Sequence, residues 1–414
     1  MRKQILTAAA LASCAGTTSA FAVDVGANTT IGGSVFMDVS HISLQNQNAA
    51  GTYVDAPPTG TGFDVKRFYF IVNHTFNDVW SANLTTDAQY STASTATVCT
   101  AGGTPPTCNG TTSALTNQNT SGGASEVFIK KLYLQGKFSE AFVVHVGSYD
   151  LPWIPFVETM YGYRYVEKLT VDRLGFGTTT DWGLNATGVF GPNGMFTYAG
   201  AVVNGGGFKN PTRTKDVDFE GRISVRPVDI VTLAAGFYSG HLAQVTASNE
   251  HFPTNTATRW DGLAALNIGG LRAAVEYFNA KNYKTVNSVA ASVYGTSSVV
   301  TTSGAAPISD QADGISTWVS YDFTAQWGVF GRYDNAKLSK DVAPNLKDEY
   351  FNLGVAYRPI KPVDFALVYK NERVNNGSNT ISGGNAGGSY TIGGANGTRS
   401  GKFDEFGVYA WYRF

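Results

Sequence analysis

Charge is scarce in this chain: 15% of its 414 residues are Asp, Glu, Lys or Arg, with 30 basic residues against 31 acidic. A balance so close to neutral offers nothing to a polyanion, and no nucleic-acid partner is implied. Histidine is scarcer still. His41, His74, His145, His241 and His251 are the full set, none in a HExxH arrangement, and there is no GxSxG elbow. Zinc-hydrolase and serine-esterase chemistry therefore lack their parts. Gly175-Phe-Gly177-Thr-Thr-Thr fails the dinucleotide fingerprint and opens no helix, so no cofactor is implied. Also missing, after position 22, is any run of 18 apolar residues, which excludes a membrane-spanning helix.

The chain is rich in glycine, 47 residues, and in aromatics, with 25 Phe, 21 Tyr and 7 Trp. Its N-terminus carries a short basic region (Arg2, Lys3), an apolar stretch from Ile5 to Ala12, and the small-x-small site Ala20-Phe21-Ala22. These are the parts of a cleaved secretory leader over residues 1–22. Leu11-Ala12-Ser13-Cys14 also resembles a lipobox, the competing reading, though the apolar run before Cys14 is short. Cleavage after Ala22 leaves 28 basic against 31 acidic residues. In an exported chain Cys99 and Cys108, separated by eight residues in CTAGGTPPTC, are expected to form a local disulfide. Their spacing is not that of a CxxC metal or redox site, and no metal is expected.

Period-two alternation recurs from end to end, and helical periodicity is nearly absent. In Val217-Asp-Phe-Glu-Gly-Arg-Ile-Ser-Val-Arg226, Val217, Phe219, Ile223 and Val225 share one face and Asp218, Glu220, Arg222 and Arg226 the other. The last nine residues, FGVYAWYRF, put Phe406, Val408, Ala410, Tyr412 and Phe414 on one face. Connections alternate as regularly. Tight turns fall at 76–78, 138–141, 191–194, 226–228, 269–270, 324–326 and 359–362. Longer polar loops lie near 41–62, 91–125, 150–180, 205–216, 241–258, 282–312, 337–348 and 374–401. Seven turns and eight loops separate sixteen strands, with both termini at the short-turn end.

A physical cause for this rhythm is hydrocarbon, where a spanning sheet must close on itself to satisfy its backbone. The expected fold is all-β: a closed antiparallel transmembrane β-barrel of about 16 strands over residues 23–414, the last strand pairing with the first around Val35–Val39. A soluble exported sandwich or propeller also alternates. The alternating connection lengths and aromatic terminal strand argue against it.

The leader, the sixteen alternating strands and the terminal Phe414 stand with the stretch Val144-His-Val-Gly-Ser-Tyr-Asp-Leu-Pro-Trp-Ile-Pro-Phe-Val-Glu158. Together they resemble Gram-negative outer-membrane porins, particularly the phosphate-selective porin O/P-like superfamily. Val65-Lys-Arg-Phe-Tyr-Phe-Ile-Val72 with Trp80-Ser-Ala-Asn-Leu84 resembles that group's early strand pair. Asp181-Trp-Gly183 resembles its strand opening after the third loop. The resemblance covers essentially the whole mature chain in layout, through short motifs. It implies a passive outer-membrane channel, commonly a homo-trimer, for small hydrophilic solutes or ions. The group's arginine-rich lumen ladder has no counterpart here, so no ion preference is carried over.

The third long loop, 150–180, is not Gly/Ser/Thr filler. It holds Trp153, Pro155, Phe156, Tyr161, Tyr163 and Tyr165, and the charges Glu158, Arg164, Glu167, Lys168, Asp172 and Arg173. Such density suggests an ordered segment, and the resemblance implies that it folds into the bore as a constriction; the alternative is a cap over the outer mouth. Lumen-facing cations are expected at Arg67, Lys131, Lys137, Arg222, Arg226, Arg272, Arg332 and Lys370, with Asp218, Glu220, Glu276, Asp334, Glu372 and Glu405 as acidic counterparts. Lys or Arg facing lipid at the midplane costs about 2–4 kcal/mol, which compels that orientation whether or not the charge selects solutes. The long loops 282–312 and 374–401, rich in Gly, Ser, Asn and Thr, leave open an adhesin or receptor role. A barrel hydrolase is the weaker alternative. About 392 residues are too few for a plug plus a 22-stranded barrel.

Overall fold

Alternating polarity is realised as antiparallel pairing. The computed structural model describes residues 23–26, 28–90, 125–247, 250, 253–284, 286, 308–385, 388–394 and 398–414. The leader, Cys14 and the expected Cys99–Cys108 disulfide lie outside the described residues. The chain runs through β1 (Val23–Gly26), β2 (Thr29–Gln47), β3 (Tyr53–Asp55), β4 (Gly60–Thr75), β5 (Trp80–Tyr90), β6 (Ser125–Ser139) and β7 (Phe142–Asp150). Two short helices follow, α1 (Ile154–Tyr161) and α2 (Thr170–Arg173). Next come β8 (Thr180–Phe190), β9 (Phe196–Val203), β10 (Asp218–Val228), β11 (Val231–Gly240) and β12 (Ala257–Ile268). The remainder is β13 (Leu271–Lys281), β14 (Gln311–Asp322), β15 (Trp327–Lys337), β16 (Lys347–Ile360), β17 (Val363–Asn375), β18 (Ser378–Asn385), β19 (Gly388–Gly393) and β20 (Gly401–Arg413).

Sixteen of these strands, β2, β4 to β17 and β20, form one closed antiparallel ring. The terminal strand β20 closes it between β17 and β2, with Val35 opposite Tyr412 and Val39 opposite Val408. Phe414 completes the seam by exchanging backbone hydrogen bonds of 2.8 and 3.1 Å with Gly33. β1 and β3 are short additions to β2, and β18 and β19 form a separate hairpin.

Burial alternates along each strand. In β15, Trp327, Val329 and Tyr333 are exposed on the outside while Phe330, Arg332 and Asp334 are buried on the inside. The outer surface is thus apolar, and exposed aromatics gather at both ends of the strands. Trp80, Phe138 and Phe142 contact one another at the short-turn end, as do Phe237 and Trp260 farther along the wall. A closed sheet with such an exterior suits hydrocarbon, because no backbone edge is left unsatisfied.

Three sequence expectations shift. Arg226-Pro227-Val228 is not the turn; β10 continues through Val228 and reverses at Asp229-Ile230, with Pro227 inside a register break. Proline lacks the ladder N–H and is tolerated at a bulge. The loop near 41–62 shortens, because β2 runs on to Gln47 and β4 starts at Gly60. The loop 374–401 is not wholly open polar chain: β18 and β19 bury Ile381 and Ile392, and Tyr390 stacks on Phe403 at 4.8 Å.

Candidate functional site

Two adjacent basic pairs break the alternation, and each break is a bulge. Phe36 pairs with Arg67 and Met37 with Val65, which leaves Lys66 as the extra residue. Likewise Thr85 pairs with Lys131 and Thr86 with Ile129, around Lys130. An extra residue changes which parity faces inward, so both members of each pair turn inside. Lys66 reaches Asp38 at 2.8 Å, Arg67 reaches Asp87 at 3.1 Å and Lys131 reaches Asp150 at 2.6 Å. Lys130 donates to the Tyr69 hydroxyl at 3.0 Å.

Segment 151–179 lies against inward-facing side chains of the wall from β10 to β17. α1 begins at Ile154 with Pro155, whose missing N–H costs nothing in a first turn. It ends at Gly162, φ 74°, whose N–H returns to the Glu158 carbonyl at 3.0 Å. A Cβ there would meet Arg272 Nη1 at 2.5 Å. The aromatics noted in the sequence explain the docking. Tyr163 stacks on Phe330 with centroids 3.9 Å apart, Tyr161 meets Trp318 edge-on at 5.7 Å, and Phe176 lies 5.3 Å from Phe278. Trp153 is fully buried; its backbone N–H donates to Glu220 at 2.9 Å and its indole N–H to Glu276 at 2.8 Å.

Most polar contacts on this side are dry, with Arg272 at 27% and Arg358 at 22% exposure the exceptions. Arg173 meets Glu372 at 2.5 Å, Asp348 at 2.8 Å and Asp334 at 3.5 Å, every side chain 0–1% exposed. Arg332 binds Asp334 at 2.6 Å and donates to the Lys168 carbonyl and to Thr170. Lys370 bridges Glu167 and Glu405 at 3.2 and 3.1 Å. Arg222 donates to the Pro152 carbonyl at 2.9 Å. Arg272 sits over the Tyr163 ring. Arg259 bonds Asp261 at 2.8 Å, Glu220 at 3.3 Å and the Phe176 carbonyl at 2.7 Å.

The other charges of the segment keep some exposure. Arg164 holds Glu158 at 2.6 Å, and Asp172 lies 3.7 Å from Arg164 and 3.6 Å from Lys168. Their side chains are 9–21% exposed, comparable with Arg67 at 14% and Lys131 at 17% on β4 and β6. Burial alone would raise the Asp172 pKa, but Lys168, Arg164 and Arg67 outweigh it and hold the carboxylate below its ordinary range. Glu167 is held down to about 2 against its own burial by Lys370, Lys66 and Arg173.

The segment charges therefore divide: Glu167 and Arg173 face the wall, while Glu158, Arg164, Lys168 and Asp172 form a partly exposed cluster. Arg67, Lys131, Arg222, Arg272, Glu276, Arg332 and Lys370 all point inward. Two expected lumen cations stand elsewhere. Lys137, at the short-turn end of β6, pairs with Glu140 and is 42% exposed. Arg226 donates to the carbonyls of Asn193 and Gly194 in the neighbouring turn. Both have inward parity but sit at the short-turn ends of their strands, where each bonds to the adjacent turn. Lys66, Lys130, Arg259 and Asp348 were missed. The doublets Lys66-Arg67 and Lys130-Lys131 were the available signal, since strict alternation would point one of each at lipid. His145 is buried, bonded to Gln135 and stacked on Tyr149. Among the described residues no cluster of His, Cys, Asp or Glu is arranged to hold a metal ion.

A scan against protein-family models and a search of curated protein sequences each returned no match. Solved structures do match in fold. An anion-selective porin from Comamonas acidovorans superposes with a TM-score of 0.57 at 11% identity, over 93% of this chain and 99% of that one. The outer-membrane channel DcaP of Acinetobacter baumannii gives 0.54 at 12% identity, over 94% and 99%. OmpF of Salmonella typhi, solved with daunomycin, gives 0.53 at 10% identity, over 95% and 100%. At such identities the likeness establishes the sixteen-stranded barrel fold and no more.

Proposed function

We propose that this chain is an outer-membrane porin of a Gram-negative cell, exported through a cleaved leader, that passes small hydrophilic solutes or ions down their gradients. The observation that carries the reading is a closed ring, apolar outside and charged inside, in which one half of the inner wall is bonded to segment 151–179. Beside that half, past the β20–β2 seam, stand Lys66, Arg67, Lys130 and Lys131; Lys66 and Lys370 each lie 4.5 Å from the Tyr409 ring. A sixteen-stranded barrel has room for an aqueous path, and the partly exposed charges on β4, β6 and the segment are its candidate lining. In this reading the segment is the constriction, no bond is made or broken and no cofactor takes part. Homo-trimer assembly is supported by the resemblance and by a Vibrio cholerae outer-membrane protein of like fold, TM-score 0.50, solved in a trimer form. The phosphate-selective O/P-like kinship rests on the sequence motifs.

An adhesin or receptor acting through open loops is less well supported, because the last long connection turns inward: Asn379 of β18 donates to Asp348 at 3.0 Å. The test is the purified barrel in planar bilayers. Discrete, ohmic conductance steps are expected; an absence of steps from folded, inserted protein would overturn the reading.

A further inference from the structure

Outward-facing charge is confined to one sector of the barrel. From β4 to β12 no outward position among the described residues carries Lys or Arg. At the long-connection ends of β15, β16, β17 and β20, Lys337, Lys347, Arg373 and Lys402 all point outward, because their neighbours Ala336, Asp348, Glu372 and Phe403 are buried inside.

Cross-strand register makes these four cations one patch. Lys337 stands directly opposite Lys347, and Arg373 directly opposite Lys402. Lys347 pairs with Asn375, so Arg373 is its diagonal neighbour, about 7–8 Å away. Four strands at about 4.8 Å spacing make the patch roughly 15 Å wide. Like charges placed directly opposite destabilise a sheet, and here this happens twice in succession. Acids share this face, Asp313 directly opposite Lys337 and Glu349 directly opposite Arg373, but their carboxylates bond to other side chains. Glu349 accepts from Asn335 and Asn375 at 3.3 and 3.4 Å, and Asp404 from Tyr369 and Asn371 at 2.5 and 2.9 Å. Asp313 takes Lys340 at 2.5 Å. Among the described residues no carboxylate lies within ion-pair distance of the four cations. Toward the strand centres comes a polar row of Asn335, Glu349, Asn371 and Asp404, and beyond it the exposed rings of Tyr333, Tyr369 and Phe406, so the patch lies one polar row outside the apolar band, at the depth of lipid headgroups.

We infer that this patch binds the phosphorylated headgroup of a bilayer lipid, whose oxygens bridge the two opposed cation pairs and whose acyl chains lie along the apolar wall below. The inference rests on the reading of the barrel as membrane-embedded. A phosphate's several acceptor oxygens match multiple cations, and an outward site at this depth meets lipid rather than permeating solute.

The test compares the native barrel with K337Q/K347Q/R373Q/K402Q, both in neutral phosphatidylcholine doped with phosphatidate. Native mass spectrometry counts retained phosphatidate, and bilayer conductance is recorded in parallel. The native barrel is expected to retain phosphatidate and the variant to retain at least about tenfold less, with unchanged conductance. Because the four side chains lie on the outer surface, Lys402 over the exposed Tyr53 ring at 4.6 Å, the variant should fold; a K131Q barrel, altered inside, should retain lipid as the native does. Equal retention by native and quadruple variant would overturn the inference. So would full displacement by millimolar inorganic phosphate, which would assign the patch to a free anion. Failure of both proteins to insert would instead remove the membrane reading itself.

Discussion

The two halves of the inner wall are built from the same residue types and do opposite work. On the β10–β17 side, Arg259, Arg332 and Lys370 of the wall and Arg173 of the segment are at most 1% exposed and bond carboxylates, and Arg259 and Arg332 also bond carbonyls of segment 151–179. On the β4–β7 side, Arg67 and Lys131 keep 14% and 17% exposure and bond only single carboxylates from the wall. A buried charge must be matched or it destabilises severely, whereas a partly exposed pair is worth little and is free to meet a passing solute. The difference teaches that charge inside a barrel is not evidence of selectivity; exposure decides which charges hold the segment and which line the path.

The strongest way to break this contrast is Arg173→Ala. Removing it leaves Asp334, Asp348 and Glu372 buried together, and the loss is expected to be about 3–5 kcal/mol, read as a lower unfolding midpoint in detergent. The segment should also loosen, seen as noisy, larger conductance. Tyr163→Ala removes a stacked ring from the segment's apolar face and should lose about 3 kcal/mol; an unchanged midpoint would show that the Phe330 contact does not anchor it.

Glu167 sharpens the contrast through pH. Its folded pKa of about 2 lies below its ordinary value of 4.5, so its contribution is complete above about 4.5 and is lost as pH falls toward 2. Acid unfolding of the native barrel should therefore steepen in that window, and Glu167→Gln should flatten it; identical acid titrations would remove Glu167 from the contacts that hold segment 151–179 to the wall. On β4, Arg67→Ala strands the fully buried Asp87 carboxylate and should cost about 1–3 kcal/mol. It should also shift the reversal potential toward cations. The smallest effect is expected at the rim, where Lys137→Ala, breaking an exposed pair with Glu140, should alter neither midpoint nor selectivity within error.

Much of the barrel was legible in the chain because period two is a local property. Val217-Asp-Phe-Glu needs no partner to declare its two faces, and a terminal strand ending in Phe414 declares a seam. The turn at 226–228 was misplaced because Pro227 marks both turns and bulges, and only the pairing with β11 separates them. The hairpin β18–β19 was hidden by its Gly/Ser/Asn composition; Ile381, Tyr390 and Ile392 bury themselves only because Phe403 and the wall are there to receive them.

By itself, the amino-acid sequence determined strand number, polarity of faces and the identity of the ordered third connection, since each follows from spacing along the chain. Only the tertiary structure decided that Arg173 is a buried anchor while Arg164, nine residues earlier, is partly exposed, and that Lys66 and Lys130 turn inward beside Arg67 and Lys131. Those outcomes depend on bulge register and on which side of the segment meets the wall. Both are set by contacts between residues far apart in the chain; the basic doublets hint at the bulges, but only the pairing fixes them.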